Sequence, residues 1–301
     1  MIQPFDPLTQ AFLSGIAAVQ TRAERAQREL STGVRINQVS DDPDQIANLM
    51  EVRAELARAT QIQSNLGRVK TETDAADAAL QNAVKLMDRA SVLAAQAQPS
   101  TQSAQMRSEI AGEVGAVLEQ LGSISRTMVE GRYIFSGDSD RQAPYTIDMV
   151  QANPVSAYAG SAATRQVQHP DGSVFSISRT AQDIFDAANP QDNVFQAVAG
   201  LHAALMNNDQ AGIESAIAAL GSAATYLNMQ LAFYGTVQNR VQNAVDFGSS
   251  YQSQLSVELS GIQDADLAQA ITDLNQAAVQ QQATLSAQAK MPRTSLFDYL
   301  G

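Results

Sequence analysis

The residue types that most often carry out chemistry are scarce in this sequence. Its 301 residues include no cysteine and no tryptophan, and histidine occurs only at His169 and His202. These counts exclude thiolate chemistry and disulfides, and they leave few ligands for a soft metal. No nucleophile-base pair, glycine-rich phosphate loop or metal-ligand cluster is visible, so we expect neither an enzyme nor a cofactor.

Two acidic clusters could in principle hold a cation, and both are better explained as helix boundaries. The first cluster is the run Ser40-Asp41-Asp42-Pro43. Asp42 can cap a helix whose first position is Pro43, which predicts a helix start rather than a metal site. The second cluster, Asp264 and Asp266, offers no third ligand. It lies where the apolar repeat slips, so we interpret it as a cap or a bend.

The charge balance narrows the range of partners. There are 19 Lys and Arg residues against 31 Asp and Glu residues, a formal net charge of -12. So little positive charge argues against nucleic acid and against an anionic membrane surface. The first residues show neither a basic region nor an apolar core of a signal peptide. The expectation is therefore the cytoplasm, or export by a route without a cleaved signal.

Apolar residues recur at helical spacing along most of the chain. Residues 12–30 and 49–87 each carry one such seam, and a third follows the break at Pro99. The longest seam alternates steps of four and three residues from Ile213 to Ile262, as in a coiled coil. The next apolar residue of the seam, Leu267, lies five residues after Ile262 instead of four. The sequence predicts a mainly α fold, a long antiparallel helical bundle or coiled-coil-like rod, with a junction near residues 263–266.

A stretch of different character interrupts the helices. From Gly131 to about Asp183 the heptads vanish, and residues 165–168 and 174–178 flank a turn at 169–173. This pattern predicts a β-hairpin within a small β-rich module at 137–188. We expect Asn189 to cap the returning helix, with Pro190 in its first turn.

The two ends are amphipathic helical segments, and each should require the other for stability. An isolated helix of about thirty residues is marginal in water, so we expect the N-terminal helix to pack on the C-terminal one. We expect the following positions to pair in the assembled state: Phe12, Ile16, Val19, Ala23 and Leu30 with Ile271, Leu274, Ala278 and Leu285. Leu267 belongs to the same predicted assembly interface. Further apolar residues remain near the termini, including Phe5, Leu8, Leu296, Phe297, Tyr299 and Leu300. This surplus predicts burial between molecules.

Four stretches resemble the flagellin superfamily and cover about the first 140 and the last 90 residues. Their signature positions are Arg35, Asn37, Ser40, Asp41, Asp42 and Pro43; Arg132, Tyr133, Phe135 and Gly137; Asn239 and Arg240; and Asp264 and Asp266. Within the superfamily, the Ser-Asp-Asp-Pro run, the Arg-Tyr-Ile-Phe-Ser-Gly turn and the ending Leu-Phe-Asp-Tyr-Leu look most like the hook-associated protein 3 family of hook-filament junction proteins.

The resemblance implies an organisation and a set of partners. It implies a D0 layer from residues 1–35 and 264–301, a D1 rod from 36–136 and 189–263, and an outward domain at 137–188. It also implies extracellular assembly on the bacterial flagellum between hook-associated protein 1 and flagellin. Export would run through the type III apparatus without signal cleavage, with an export chaperone on the C-terminal segment.

Several alternatives stay open on the sequence alone. The chain could be flagellin itself, the bulk filament subunit, and the heptads by themselves also permit a coiled-coil adaptor or signalling protein. The Arg35, Asn37, Asp41 and Asp42 cluster could be a local loop and cap or a contact between subunits. For Arg132 and Tyr133 we expect an anchoring role at the entry to the inserted module.

Overall fold

The structure is a computed structural model that describes residues 7–99, 101–151 and 153–290. Seven helices lie in this part of the chain: α1 (Pro7–Thr32), α2 (Pro43–Ala97), α3 (Ala104–Ser125), α4 (Ala181–Phe185), α5 (Val194–Met206), α6 (Gln210–Gln263) and α7 (Leu267–Lys290). Two antiparallel two-stranded sheets complete it: β1 (Met128–Val129) with β2 (Arg132–Tyr133), and β3 (Gln166–Gln168) with β4 (Val174–Ser176). The predicted mainly α fold is confirmed.

The chain divides into two compact units, which are described separately. Unit 1 contains residues 1–58 and 252–301, and unit 2 contains Ala59–Tyr251. In unit 1, α1 and α7 pack against each other. Ile36, Leu49, Val52 and Leu255 are also buried there.

Unit 2 is built on an antiparallel pair formed by α2 and α6. Side-chain hydrogen bonds join Gln63 to the Val245 carbonyl at 3.2 Å and Gln210 to the Gln98 carbonyl at 2.7 Å, so the residue numbers run in opposite directions. The seam predicted for α6 is turned inward, and Ile213, Leu220 and Leu227 are fully or almost fully buried. Helices α3 and α5 pack on each other and share the same core.

The inserted segment, taken here as residues 131–188, contributes side chains to this core. Phe135, Tyr145 and Phe185 belong to one buried cluster with residues of α2, α3, α5 and α6. The ring of Phe135 meets the edges of Phe185 and Tyr234, with both centroid distances at 6.3 Å. Among the described residues of the segment after Tyr133, regular β structure consists of the β3–β4 hairpin and one isolated bridge, Ile147 to Val155.

Both hairpins follow from local backbone chemistry. Glu130 (φ 50°) and Gly131 (φ 77°) form a two-residue turn with both residues in the left-handed region, which matches the twist of an antiparallel pair. The predicted hairpin around 169–173 is confirmed, with Val167 opposite Phe175. Its inner residues Val167 and Ile177 pack against α2 and α6 in a second apolar cluster.

The expected cap of α5 is wrong. The Asn193 side chain, not Asn189, accepts the N–H of Gln196 at 2.8 Å, and the helix begins at Val194. Asn189 instead makes a turn of its own, in which its carbonyl accepts the N–H of Asp192 at 2.9 Å. Two asparagines four residues apart offer the same capping chemistry, and tertiary packing selects the second.

A buried arginine ties several helix ends of unit 2 together. Arg107 is 4% exposed and donates to the carbonyls of Ala97 and Pro99, both at 3.2 Å, beyond the end of α2. It also donates to the side chains of Asn208 and Gln210 at the α5–α6 turn. Its charge is therefore spread over four oxygen acceptors, none of them a carboxylate.

Replacing Arg107 by methionine should destabilise unit 2 by about 3 kcal/mol, because the buried Ala97 carbonyl and three part-buried acceptors lose their donor. Urea unfolding followed by circular dichroism measures this loss. The matched control is Arg89→Met, which removes a half-exposed ion pair with Glu113 and should cost at most about 1 kcal/mol. Equal midpoints for Arg107→Met and the wild type would contradict this assignment.

Candidate assembly interface

Helix α7 presents a small-residue face and a large-residue face. Ala270 and Ala277, seven residues apart, are 1% and 0% exposed. On α1, Ala26 is 3% exposed, and the predicted seam residues Phe12, Ile16, Val19, Ala23 and Leu30 are half-buried. Since α1 and α7 contact each other, the covered side of α7 is the alanine line. Small side chains allow two helices to approach closely.

The predicted interface residues of α7 lie beside this covered line. Leu267, Ile271 and Leu285 are 48%, 51% and 54% exposed, Ala278 is exposed and Leu274 is half-buried. Within a single chain, therefore, most of them do not form the buried side of the α1–α7 pair. Their pairing in the assembled state stays a prediction. They form a continuous exposed stripe, called the α7 stripe below. Phe5 and residues 296–300 lie outside the described residues, as does the side chain of Leu8.

The loop between α1 and α2 is held by its own polar residues. Gly33 ends α1 in the left-handed conformation (φ 72°). The Asp41 carboxylate accepts the N–H groups of Asn37 and Gln38 at 2.9 and 2.8 Å, and the Asn37 amide donates to the Val34 carbonyl at 2.8 Å. Ser40 is exposed at the turn. The loop geometry thus explains Asn37 and Asp41 without a second molecule.

Arg35 and Asp42 connect this loop to two helix ends. Arg35 forms an ion pair with Asp42 at 2.8 Å and donates to the Ile262 carbonyl, near the end of α6, at 2.9 Å. Asp42 Oδ1 accepts the N–H of Gln45 at 3.4 Å, next to Pro43, where α2 begins. This contact agrees with the capping role predicted for Asp42.

The phase slip near residue 263 is a real break between two helices. Helix α6 ends at Gln263 and α7 begins at Leu267. Asp266 caps α7 by accepting the N–H groups of Ala268 and Gln269 at 2.9 and 3.1 Å. Asp264 accepts the hydroxyl of Ser260 and forms an isolated bridge with Val34. Within the described residues, no group of three or more His, Cys, Asp or Glu side chains could hold a metal.

The signature residues of unit 2 occupy two kinds of position. Phe135 is fully buried, and Gly137 (φ 61°) lies so close to the carbonyls of Ser161 and Ala163 that a side chain would collide with them. Arg132 pairs with Asp140 at 3.4 Å, and the N–H of Tyr133 donates to the Asp140 carbonyl at 2.7 Å. These contacts agree with an anchoring role. Asn239 and Arg240 are exposed on α6.

Sequence patterns missed the residues that join the ends. Ala270 and Ala277 carry too little hydrophobic signal to be preferred over the neighbouring leucines, although their heptad spacing is visible. Arg53, whose Nε and Nη2 donate to the Gln263 side chain, and Val34 were not anticipated. Their partners lie more than two hundred residues away, and a single sequence contains no signal for such pairs.

The structure describes a helical structural protein whose two ends pair. No helix within the described ranges is both long and apolar enough to cross a membrane. Residues 8–140 match the bacterial flagellin N-terminal helical region, and residues 217–300 match the bacterial flagellin C-terminal helical region. The chain belongs to the flagellin family.

Individual relatives agree with this family. The flagellar filament 30.7 kDa core protein of Treponema maltophilum is 25% identical over 263 residues, which cover 87% of this chain and 86% of that protein. Hook-associated protein 3 of Legionella pneumophila has the same fold, with a TM-score of 0.62 at 13% identity over 71% of this chain and 98% of that one. FlgL of Xanthomonas campestris has a TM-score of 0.60 at 20% identity, over 69% of this chain and 99% of that one.

Acidification should weaken the α1–α2 loop. The N–H of Gln38 holds the pKa of Asp41 below its ordinary value, and the Arg35 side chain does the same for the pKa of Asp42. Because both pKa values are lower in the folded state, their stabilising contribution is present above about pH 4. It is lost as the pH falls through the lowered values.

We therefore expect Asp41→Asn to lower the thermal midpoint at pH 7 and to have a shrinking effect as the pH approaches 2.5. Circular dichroism melts of variant and wild type across this range measure the difference. Asp44→Asn is the control, since the Asp44 side chain makes no hydrogen bond in the described part of the chain. A constant difference at every pH would show that the charge of Asp41 is irrelevant.

Proposed function

We propose that this chain joins the flagellar hook to the filament through self-association of its terminal helices. The observation that carries the proposal is the α7 stripe. Three large aliphatic side chains, Leu267, Ile271 and Leu285, are about half exposed on one side of a helix whose adjacent side is already covered. Covering the exposed half of each would contribute about 1 kcal/mol. A second copy of the same end can supply that cover.

The proposed place in the flagellum is a short ring between hook-associated protein 1 and flagellin. The support comes from the motifs that resemble junction proteins: the Ser-Asp-Asp-Pro run, the Arg-Tyr-Ile-Phe-Ser-Gly turn and the ending Leu-Phe-Asp-Tyr-Leu. The role is structural and not enzymatic. An export chaperone on the C-terminal segment and export without a cleaved signal belong to the same proposal, as does an extracellular location.

The second candidate is flagellin itself, the bulk subunit of the filament. It is favoured by the sequence relatives, since the Treponema maltophilum protein is described as a filament core protein. The two candidates share the interface chemistry and differ in copy number and position.

Electron microscopy of a strain that lacks this chain separates the two. The junction role predicts bare hooks, with flagellin released into the medium, and labelling of the complemented strain confined to the hook-filament boundary. Continuous labelling along the whole filament, with thousands of copies, would establish the bulk role and overturn the junction role.

The α7 stripe should be needed for joining but not for folding. Ile271→Ser combined with Leu285→Ser removes about 2 kcal/mol of burial per contact, so the fraction of hooks that carry a filament should fall at least about tenfold. Helix content of the purified chain should be unchanged. Filaments are counted by electron microscopy after complementation.

Val279→Ser is the matched control for this experiment. Val279 is 68% exposed on the same helix but lies outside the stripe, so its replacement should leave filament counts near those of the wild type. Normal counts for the double variant, or equal losses for the control, would contradict the proposed interface.

A further inference from the structure

The two linkers that enter and leave the paired ends are joined to each other. Val34 and Asp264 form an antiparallel bridge. On one side of it the N–H of Arg35 donates to the Gln263 carbonyl at 2.7 Å, and on the other the N–H of Ala265 donates to the Gly33 carbonyl at 2.9 Å. Residues 33–35 and 263–265 together are called the linker pair below.

Each linker completes a helix end that the other leaves open. The last carbonyls of a helix have no partner within the helix and need one from elsewhere. At the end of α6, the Ile262 carbonyl accepts from the Arg35 side chain and the Gln263 carbonyl accepts from the Arg35 backbone. The positive guanidinium also lies at the negative end of the α6 dipole. Without residues 33–35, these two carbonyls of α6 would lose their donors within the protein.

Arg35 spans two helix ends at once. Its Nη1 contacts Asp42, beside the start of α2, while its Nη2 contacts the Ile262 carbonyl. Arg53 of α2 adds a further link to the end of α6 by donating to the Gln263 side chain. Both terminal nitrogens of Arg35 thus have partners in the same chain, which argues for a role within the subunit.

We propose that the linker pair makes α1 and α7 order as one unit, with Arg35 as the residue that positions them. The two ends lie at opposite extremes of the sequence, and the α7 stripe is presented correctly only when α1 covers the neighbouring alanine line. The effect of the linker pair on hook-filament joining rests on the function proposed above. Its effect on hydrogen exchange of the linker backbone does not.

The first test follows the Ala265 amide in the purified full-length chain by hydrogen exchange. Arg35→Ala should accelerate its exchange about tenfold, because loss of a charged donor loosens the pair. Arg35→Lys should give an intermediate rate, since one ammonium cannot reach both partners with the same fork geometry. Arg22→Ala, an exposed arginine of α1, is the control. An unchanged rate in Arg35→Ala overturns the proposal.

The second test restores the pair by a covalent bond. The chain has no cysteine, so Val34→Cys with Asp264→Cys introduces a single possible disulfide. The two residues form a non-hydrogen-bonded antiparallel pair, for which a Cα separation of about 4.5 Å suits a disulfide. In the Arg35→Ala background, the oxidised chain should regain the slow exchange of Ala265. It should also regain addition to hooks that lack this subunit, whereas the reduced chain and each single cysteine should not.

The outcomes separate the two proposals. If the disulfide restores slow exchange but not joining, Arg35 is needed for another contact and its positioning role is overturned. Failure of the disulfide to form would also overturn the linker pair. If the wild-type chain never adds to hooks, the proposed function fails, while the exchange rate of Ala265 still decides the linker pair.

Discussion

One α-helix can cover only part of the apolar surface of another, and this limit determines which residues of α7 are buried by α1. Helix α7 has an alanine line and, next to it, a stripe of leucine and isoleucine. The single partner within the chain, α1, covers the alanine line, where Ala270 and Ala277 are almost fully buried. The larger side chains remain half exposed, so α7 keeps an apolar surface that only a further packing partner could bury. We propose that self-association supplies the missing cover.

The core of unit 2 solves the same problem inside one chain. There, the α6 seam is covered by α2, and the inserted segment adds Phe135, Tyr145 and Phe185 to the same cluster. Apolar side chains of these helices are covered from more than one side within the chain. Unit 1 has a smaller set of buried residues, and its polar connections at Arg35, Asp42 and Asp266 occupy the helix ends.

Sequence patterns predicted the parts of the fold that depend on local chemistry. The α1 seam, the continuous α6 heptads, the break after Gln263 and the hairpin around Gly172 all follow from spacing and turn residues, and the structure contains each of them. The prediction that Asn189 caps the helix was wrong, because Asn193 offers the same chemistry and only packing distinguishes the two residues. Hydrophobicity favoured the large residues of α7 for the predicted interface and gave no reason to single out Ala270 and Ala277, which are the most buried residues of α7 within the chain.

Long-range polar pairs were beyond the reach of the sequence. The bridge between Val34 and Asp264 depends on where two distant linkers meet, and the buried position of Arg107 depends on helix ends at residues 97–99 and 208–210. Neither carries a periodic signal. The family signature includes Arg35 and Asp42, but only their geometry shows that they connect α6 to α2.

The central claim is that the exposed half of α7 becomes buried when copies assemble. Hydrogen exchange measured on the free chain and on the chain within isolated hook-filament junctions tests it directly, by comparing amides 267–290 in the two states. The account predicts that the α7 amides of the free chain exchange faster than the core of α6, and that assembly slows them at least about a hundredfold. Equal protection in both states, with α7 already as slow as the core of α6 in the free chain, would contradict it.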